Sequence, residues 1–393
     1  MKRIIIIGGG FAGCSSAEIL SRLPGAQITL IEKTKVLGAG VRTYFNGGHP
    51  FTFGPRHFLT TKREAYEYLN KFLKLRNVNY HQFISYVRQD DNFYNYPLNT
   101  KDLDRMPDKK KIKNEIKMAK MNDNVGQSKN LEEFWIRSVG KTLFEKTIKN
   151  YNKKMWQVKS CKEIDSFKWS PKGYTIKEGS QATFDDRISA YPKEKDGYNS
   201  YFDLIPKIKN VKVIFNSILN KVDFKNRIIV VNKKQYKFDI LINTIPPDTI
   251  FNFKYGELKF IGRDLHTFVL PGKYAFPKDV FFIYFPNDEK FTRLVEYKKF
   301  TRHKSNNTII GMEVPSKNGR LYPLPISSEQ NKAKKYFKLF PKWTYSIGRA
   351  GTYRYEVDID DCILQSLNIE KQIKQNNYEG PRVSGDQYQI NDN

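Results

Sequence analysis

The sequence predicts an α/β protein that contains a Rossmann-like nucleotide-binding domain. Residues 4–7 are four consecutive isoleucines, and a glycine-rich stretch at residues 8–13 follows them directly, after which a helical pattern begins. A second short strand pattern at residues 28–31 ends at an acidic residue, Glu32. A buried strand, a tight turn, a helix and a second strand together make up the βαβ unit of nucleotide-binding folds.

The glycine-rich turn has the spacing that binds a dinucleotide. Gly8, Gly10 and Gly13 form the pattern G-x-G-x-x-G. The first glycine allows the tight turn, the second lets the backbone approach a pyrophosphate, and the third lets the helix pack closely on the strand. The helix N-terminus favours phosphate, and Glu32 is placed to accept hydrogen bonds from a ribose. The expected cofactor-binding residues here are Gly8, Gly10, Phe11, Ala12, Gly13, Glu32 and Lys33.

A second glycine cluster favours FAD over NAD as the cofactor. Residues 37–43 read LGAGVRT, directly after the acidic residue that would bind the ribose. This segment resembles the G-G-R-x-x-T segment of flavoproteins, in which the backbone runs close to the cofactor. We therefore expect Gly40 to lie at the cofactor and the Gly54-Pro55 turn to border the flavin ring.

Composition and charge exclude several other classes of protein. The chain is 39% hydrophobic and 14% aromatic, which is a globular composition. Its net charge of +27 is spread along all 393 residues, which fits a cleft for a small anion better than a nucleic-acid surface. No apolar run approaches the ~18 residues that would span a bilayer, so we expect a cytoplasmic protein. Three scattered cysteines indicate neither a metal site nor a disulfide framework.

The rest of the chain alternates between helical and β patterns. Apolar residues recur at helical spacing in residues 62–75 and 131–151, and the charged residues 101–130 are expected to be partly helical. Short apolar runs after residue 205 predict strands at 211–215, 227–231, 238–244, 281–285 and 308–314. Because no long linker separates these regions, we expect interleaved domains.

Several segments in one order resemble the UDP-galactopyranose mutase family. Together they cover nearly the whole chain, and they are GPRHF at 54–58, YPLN at 96–99, the helical segment 131–156 ending in YNKKMW, FDDR at 184–187 with DGY at 196–198, TRLVEYK at 292–298, YP at 322–323 and GRAGTYRY at 348–355. A matching order of many short segments is far more specific than any one motif.

The resemblance implies a fold and a reaction. It implies a discontinuous Rossmann-like FAD domain (residues 1–70, 205–255 and 335–380), a mainly helical domain (71–155), an antiparallel β-sheet domain (156–204 and 256–334) and a frayed tail (381–393). It also implies an isomerase that converts UDP-galactopyranose to UDP-galactofuranose for polysaccharide biosynthesis. In this reaction N5 of reduced FAD attacks the anomeric carbon, and an external reductant such as NAD(P)H keeps the flavin reduced. The oligomeric state is left open, with a homodimer as one option.

The resemblance also implies the residues of the site. The bond that breaks has a pyrophosphate leaving group, so positive charge and hydrogen-bond donors are needed more than a strong acid. The expected catalytic residues are Arg293, Tyr322, Tyr355 and Arg56, the expected substrate-binding residues are Tyr151, Trp156, Tyr353 and Lys168, and Arg349 is expected beside the cofactor. We expect His57 to be structural, and we expect no metal.

The sequence departs from the family at the substrate. The family's histidine beside the flavin is replaced by Arg56, and a family arginine for the substrate phosphates is absent from residues 167–172, where Lys168 is the nearest substitute. The family tyrosine before the F-x-D segment is Thr183. These changes predict a substrate range beyond UDP-galactose, and UDP-N-acetylgalactosamine is the first compound to test.

Two other functions share parts of the same pattern. An FAD-dependent oxidoreductase of the amine-oxidase type would have the same cofactor motifs but would oxidise its substrate. A flavoprotein without catalytic activity would show no turnover even with reduced flavin.

Overall fold

A computed structural model of the chain describes residues 2–122, 125–166, 176–378 and 380–381. Its strands are β1 (Lys2–Ile7), β2 (Ala26–Ile31), β3 (Tyr44–Asn46), β4 (His49–Phe51), β5 (Phe58–Thr60), β6 (Leu75–Asn77), β7 (Gln82–Val87), β8 (Asn92–Tyr96), β9 (Ile188–Pro192), β10 (Val211–Ile214), β11 (Leu219–Asp223), β12 (Ile228–Val231), β13 (Lys234–Lys237), β14 (Ile240–Asn243), β15 (Phe260–Pro271), β16 (Val280–Tyr284), β17 (Arg293–Glu296), β18 (Asn307–Ser316), β19 (Tyr322–Pro323) and β20 (Thr344–Ser346).

The helices lie between these strands. They are α1 (Phe11–Leu20), α2 (Arg63–Phe72), α3 (Thr100–Arg105), α4 (Lys109–Asn122), α5 (Leu131–Val139), α6 (Lys141–Leu143), α7 (Lys149–Trp156), α8 (Asn199–Leu204), α9 (Pro247–Ile250), α10 (Tyr297–Thr301), α11 (Ser327–Phe337), α12 (Gly348–Thr352) and α13 (Ile359–Gln375). In the described part of the chain, no helix is both long enough and apolar enough to cross a membrane.

A five-stranded parallel sheet forms the cofactor half of the molecule. Its strand order is β10-β2-β1-β14-β20, so strands from three separate parts of the chain meet in one sheet. The isoleucines of β1 are buried on both faces, with Ile4 and Ile6 in one hydrophobic cluster and Ile5 and Ile7 in another. This arrangement confirms the predicted Rossmann-like α/β fold, because strands buried on both faces are typical of parallel sheets.

A seven-stranded sheet forms the other half, in the order β19-β15-β18-β17-β16-β7-β8. All of its neighbouring strands pair antiparallel except β16 and β7, which are parallel. Two of these strands, β7 and β8, come from the segment 71–155 that the sequence led us to expect as mainly helical. Residues 82–87 alternate between partly and fully buried side chains, a period of two that suits a strand. Apart from the last turn of α2 and a 3-10 turn at Arg88–Asp90, helices occupy that segment only from Thr100 onward.

The helical segment after residue 130 is interrupted where the sequence suggested one helix. Helix α5 ends at Gly140, whose φ of +87° favours glycine. The chain then passes through α6, a π-helical turn at Phe144–Ile148, and α7. Glu115 of α4 accepts hydrogen bonds from the backbone N–H of Thr142 (2.7 Å) and from its hydroxyl (2.9 Å), which fixes the start of the second part.

We predict that Gly140→Ala lowers the free energy of unfolding by about 1–3 kcal/mol. A Cβ at residue 140 would lie 2.6 Å from the Cβ of Glu115, and the positive φ is unfavourable for alanine. Urea denaturation followed by circular dichroism measures the change. Gly126→Ala is the matched control, because nothing lies within 4 Å of a Cβ at that residue. Equal losses in the two variants would contradict the prediction.

Candidate active site

The glycine-rich turn is shaped to hold a pyrophosphate. A Cβ on Gly13 would lie 1.9 Å from the carbonyl oxygen of Gly8, so this pair must be glycine for the helix to pack on the strand. Gly10 is different, because its φ is −70° and a Cβ there would meet only Ala39, at 3.9 Å. The open space beside Gly10 is where a cofactor phosphate fits.

The surroundings of this turn also suit a dinucleotide. No side chain caps the N-terminus of α1, so its first N–H groups are available to an anion. Glu32 follows β2, and its carboxylate accepts hydrogen bonds from the backbone N–H of Gly9 (2.7 Å) and of Thr34 (2.8 Å). Lys33 is exposed. Phe11 stacks on Tyr201 with ring centroids 5.4 Å apart, so its side chain packs in the core and its backbone faces the turn.

The space between the loop 37–43 and α12, here called the corridor, runs from this cradle towards a pocket. Arg56, which is bonded to Gly40, and Arg349 of α12 both line that pocket. The backbone N–H of Gly38 donates to the carbonyl of Gly9 (2.8 Å), which holds the loop 37–43 over the glycine-rich turn. On the opposite side, a Cβ on Gly348 would lie 2.8 Å from that of Ala12, so α12 begins against α1. Glu32, Gly10, Gly40 and Gly348 are thus the residues that would hold a dinucleotide cofactor between this loop and α12.

The pocket at the end of the corridor lies between α7, the seven-stranded sheet and α12. It is a cavity of about 190 Å³, and the residues of interest along its wall are Arg56, His57, Leu59, Phe83, Trp135, Thr147, Ile148, Tyr151, Asn152, Met155, Trp156, Phe184, Phe282, Tyr284, Arg293, Tyr322, Arg349, Tyr355 and Asp358. Predicted site residues from five separate segments of the sequence thus meet in one cavity.

One wall of the pocket is a single helix face. Thr147, Ile148, Tyr151, Asn152 and Met155 recur at helical spacing across the π-helical turn and α7, and each of them lines the cavity. Single π-helical turns are frequent at functional sites. At the end of this helix the ring of Trp156 meets the ring of Tyr355 edge to face, with centroids 4.9 Å apart.

Arginines dominate the charge around the pocket. Nε of Arg293 lies 2.8 Å from a carboxylate oxygen of Glu313, and Nε of Arg263 lies 3.7 Å from the same oxygen. Arg349 lies 3.8 Å from Asp358. In the described part of the chain, no carboxylate lies within the 4.0 Å ion-pair distance of Arg56. Four guanidinium groups and two carboxylates leave an excess of two positive charges.

Tyr322 lies among these arginines. The guanidinium carbons of Arg263 and Arg349 lie 5.1 Å and 5.2 Å from the centre of its ring. Burial raises the pKa of Tyr322, but the charges of Arg56, Arg263 and Arg349 outweigh this effect, so the pKa falls below its ordinary value. Burial acts to lower the pKa of Arg293, yet Glu313 raises it well above the ordinary value and keeps the guanidinium charged.

The structure brings most of the predicted site residues together. Arg56, Tyr151, Trp156, Arg293, Tyr322, Arg349 and Tyr355 all line the pocket. Tyr353 does not, because its hydroxyl donates to the carbonyl of Lys259 (2.6 Å) and its side chain is fully buried. Tyr353 is the left-handed C-cap of α12, and this turn directs it away from the cavity. Lys168 lies outside the described residues.

Sequence reasoning missed part of the site. Arg263 and Glu313 lie on neighbouring strands, β15 and β18, and neither belongs to a motif that we quoted. Their alternation with apolar neighbours is the signal of any strand and does not single them out. His57 lines the pocket, but its ring is stacked against Phe300, with centroids 5.5 Å apart.

These features define a class of protein, namely a flavoprotein whose cofactor cradle opens into an arginine-rich pocket. A family model described as UDP-galactopyranose mutase matches residues 146–355, and a model described as an NAD(P)-binding Rossmann-like domain matches residues 6–74. The chain belongs to the UDP-galactopyranose mutase family. It is therefore an FAD-dependent mutase that interconverts pyranose and furanose forms of a nucleotide-linked sugar.

Individual relatives agree with this assignment over almost the whole chain. A dTDP-fucopyranose mutase of Escherichia coli is 22% identical over 404 residues, which cover 96% of this chain and 100% of the relative. A probable UDP-galactopyranose mutase of Klebsiella pneumoniae is 22% identical and covers 93% of each chain. A crystal structure of reduced UDP-galactopyranose mutase has the same fold, with a TM-score of 0.78 at 17% identity, covering 95% of this chain and 94% of that one.

We predict that Gly10→Val abolishes FAD binding while the protein stays folded. A side chain at residue 10 would fill the space for the pyrophosphate, and it would meet only Ala39 of the protein itself. Flavin absorbance per mole of purified protein measures occupancy, and circular dichroism measures folding. Gly126→Val, at a residue with open surroundings, is the control and should keep its flavin. Full flavin occupancy in Gly10→Val would show that the cofactor lies elsewhere.

Proposed function

We propose that this mutase converts UDP-galactopyranose to UDP-galactofuranose, or carries out the same ring contraction on a closely related nucleotide sugar. The observation that carries the proposal is the excess of positive charge beside Tyr322, at the end of the cofactor corridor. A pocket of this kind suits a substrate with two negative charges on its diphosphate. Bound FAD, in its reduced form, supplies the nucleophile for the anomeric carbon.

Arg293 is the main group for the diphosphate in this proposal. Its Nε faces Glu313, and its side chain lines the pocket. A planar guanidinium can donate two parallel hydrogen bonds to phosphate. Because Glu313 holds this group in place before substrate arrives, little reorganisation is needed when charge develops on the leaving group.

Tyr322 and Tyr355 are proposed to donate hydrogen bonds to the same diphosphate. Their ring centroids lie 5.7 Å apart, and Arg349 lies over both rings, at 5.2 Å and 5.6 Å from the ring centres. The lowered pKa of Tyr322 reports a positive potential at its hydroxyl. This potential strengthens binding of an anion that approaches the hydroxyl.

The nucleotide base is proposed to lie on the helix face that contains Tyr151 and Trp156. The ring of Tyr151 meets that of Tyr284 at 5.5 Å, and Trp156 meets Tyr355 at 4.9 Å. This arrangement places aromatic surface next to the residues proposed for the diphosphate. A base can stack on such a surface while Arg293 holds the phosphates.

A second candidate substrate is a dTDP-linked 6-deoxy sugar. One relative is a dTDP-fucopyranose mutase, and fucose carries a methyl group where galactose has a hydroxymethyl group. The pocket wall formed by Leu59, Phe83, Phe184 and Phe282 is apolar, and such a wall suits a methyl group. The expectation that Arg56 favours a 2-acetamido sugar stays a prediction, and the same set of substrates tests it.

Three further points belong to the proposal. We propose that NAD(P)H reduces the flavin, because the reaction needs a reduced cofactor at its start. The reaction does not consume the reduced cofactor, so this reduction is not repeated in every turnover. The chain is proposed to act in the cytoplasm and to be able to form a homodimer.

The three-domain division inferred from the sequence also stays a prediction, with the change that β7 and β8 pair within the seven-stranded sheet.

We predict that one equivalent of dithionite, added anaerobically, supports many turnovers. Bound FAD would supply a nucleophile in its reduced form without a net redox change, so the reductant is needed only once. UDP-galactose, UDP-N-acetylgalactosamine and dTDP-fucose are each offered to the reduced protein, and NMR detects the furanose product. Product equal to the reductant consumed would support an oxidoreductase instead. A lack of product with all three sugars would refute the proposed substrates.

We predict that Arg293→Ala lowers kcat/KM by ~10²–10³-fold, the scale of removing one preorganised donor at a developing charge. Arg293→Lys should recover only part of the loss, since lysine cannot make the bidentate contact. Flavin content and the melting temperature are measured alongside, because Glu313 loses its nearest partner. Arg63→Ala is the control, as that side chain is 84% exposed. An Arg293→Ala variant within a few-fold of wild type would exclude this role.

A further inference from the structure

Arg56 differs from the other arginines around the pocket in having no carboxylate partner among the residues that the structure describes. Arg293 and Arg263 share Glu313, and Arg349 faces Asp358. Its Nε donates a hydrogen bond to the backbone carbonyl of Gly40, at 3.1 Å. A partly buried guanidinium without a counter-ion calls for an anion among the ligands.

The hydrogen bond to Gly40 determines where this charge lies. Gly40 belongs to the loop 37–43, which the backbone N–H of Gly38 ties to the glycine-rich turn. Arg56 is therefore anchored to the cofactor cradle and not to α7. The Arg56 backbone is fixed as well, because its carbonyl accepts a hydrogen bond from the hydroxyl of Tyr198 (2.6 Å). These two hydrogen bonds hold the guanidinium beside Gly40 without any help from a substrate.

The cofactor itself supplies a suitable anion. If the ribose binds at Glu32 and the pyrophosphate at Gly10, the flavin ring would lie towards the backbone of Gly40 and the side chain of Arg56, which adjoin each other. Reduction of a flavin by two electrons and one proton gives a ring with one negative charge, whereas the oxidised ring is neutral. A fixed positive charge next to the ring stabilises the reduced form and has little effect on the oxidised form.

We propose that Arg56 stabilises the anionic reduced flavin and so raises the midpoint potential of the bound cofactor. This inference rests on the proposed placement of the flavin ring, and it deepens the proposed function because the reaction begins with reduced flavin. A higher potential keeps a larger fraction of the protein in its active state at a given supply of reductant. Arg56 thus acts on the redox state of the cofactor in addition to contributing to the positive charge beside the diphosphate.

The test is a potentiometric titration of the FAD-loaded protein with a reference dye and without any nucleotide sugar. Arg56→Gln removes the charge, and it should decrease the preference for reduced over oxidised flavin by about tenfold, which is about 30 mV for a two-electron couple. Arg56→Lys keeps the charge and should stay closer to wild type than Arg56→Gln. Arg63→Gln removes an exposed charge and should leave the potential unchanged.

A second variant keeps the test decisive if Arg56→Gln does not retain flavin. In Arg56→His the side chain is charged at low pH and neutral at high pH, with an ordinary pKa of about 6.5. Its potential should match wild type at low pH and fall below wild type as the pH rises through that pKa. A gap from wild type that does not change between about pH 5 and 9 would overturn the proposal.

Two other results would also overturn it. One is an unchanged midpoint potential in an Arg56→Gln protein that is fully loaded with flavin. The other is an Arg56→Lys protein whose potential is as low as that of Arg56→Gln, since the loss would then not follow the charge. Because no sugar is present, these outcomes are independent of whether the proposed substrate is correct.

Discussion

The close contact between the start of α1 and the end of β1 is the constraint on which the site depends. A Cβ on Gly13 would lie 1.9 Å from the carbonyl oxygen of Gly8, so the two backbones touch. This contact sets the N-terminus of α1 at the carboxyl edge of the parallel sheet, where ligands of such sheets bind. Gly38 then ties the loop 37–43 to Gly9, and Arg56 is bonded to Gly40 of that loop. A series of short backbone contacts thus connects the cofactor cradle to the substrate pocket.

The pocket combines this rigid frame with an unfavourable concentration of like charge. Glu313 is almost fully buried, and it orients Arg293 and Arg263 at the cost of removing all three groups from water. One carboxylate cannot neutralise two guanidiniums, and Arg56 adds a further positive charge nearby. Functional sites commonly sacrifice stability in this way. Binding of anionic ligands would relieve the repulsion among the guanidinium groups. In our proposals the same positive charge serves both the substrate diphosphate and the reduced cofactor.

The helical segment 131–156, part of which lines the pocket, shows what a local sequence pattern can predict and what it cannot. Its apolar spacing predicted one broad buried face, and five of the six residues are buried while Phe134 is only partly buried; the six are Leu131, Phe134, Trp135, Val139, Leu143 and Ile148. The spacing did not predict the break at Gly140 or the π-helical turn after it. Glu115 of α4 packs against Gly140 and accepts a hydrogen bond from the backbone N–H of Thr142 at this break. A contact between two helices decides this geometry, so it leaves no periodic signal in either one.

The sequence by itself determined the features that short-range spacing controls. The βαβ unit, its glycines and the acid at residue 32 follow from steric and hydrogen-bond rules within about 30 residues, and the order of the family segments indicated the reaction. Only the tertiary structure decided that β7 and β8 join the seven-stranded sheet, and that Arg263 and Glu313 meet Arg293. It also separated Tyr353 from Tyr355, two neighbours in one motif, through a left-handed turn at Tyr353. These outcomes depend on strand pairing and side-chain packing between distant segments, and no local pattern records which segments will meet.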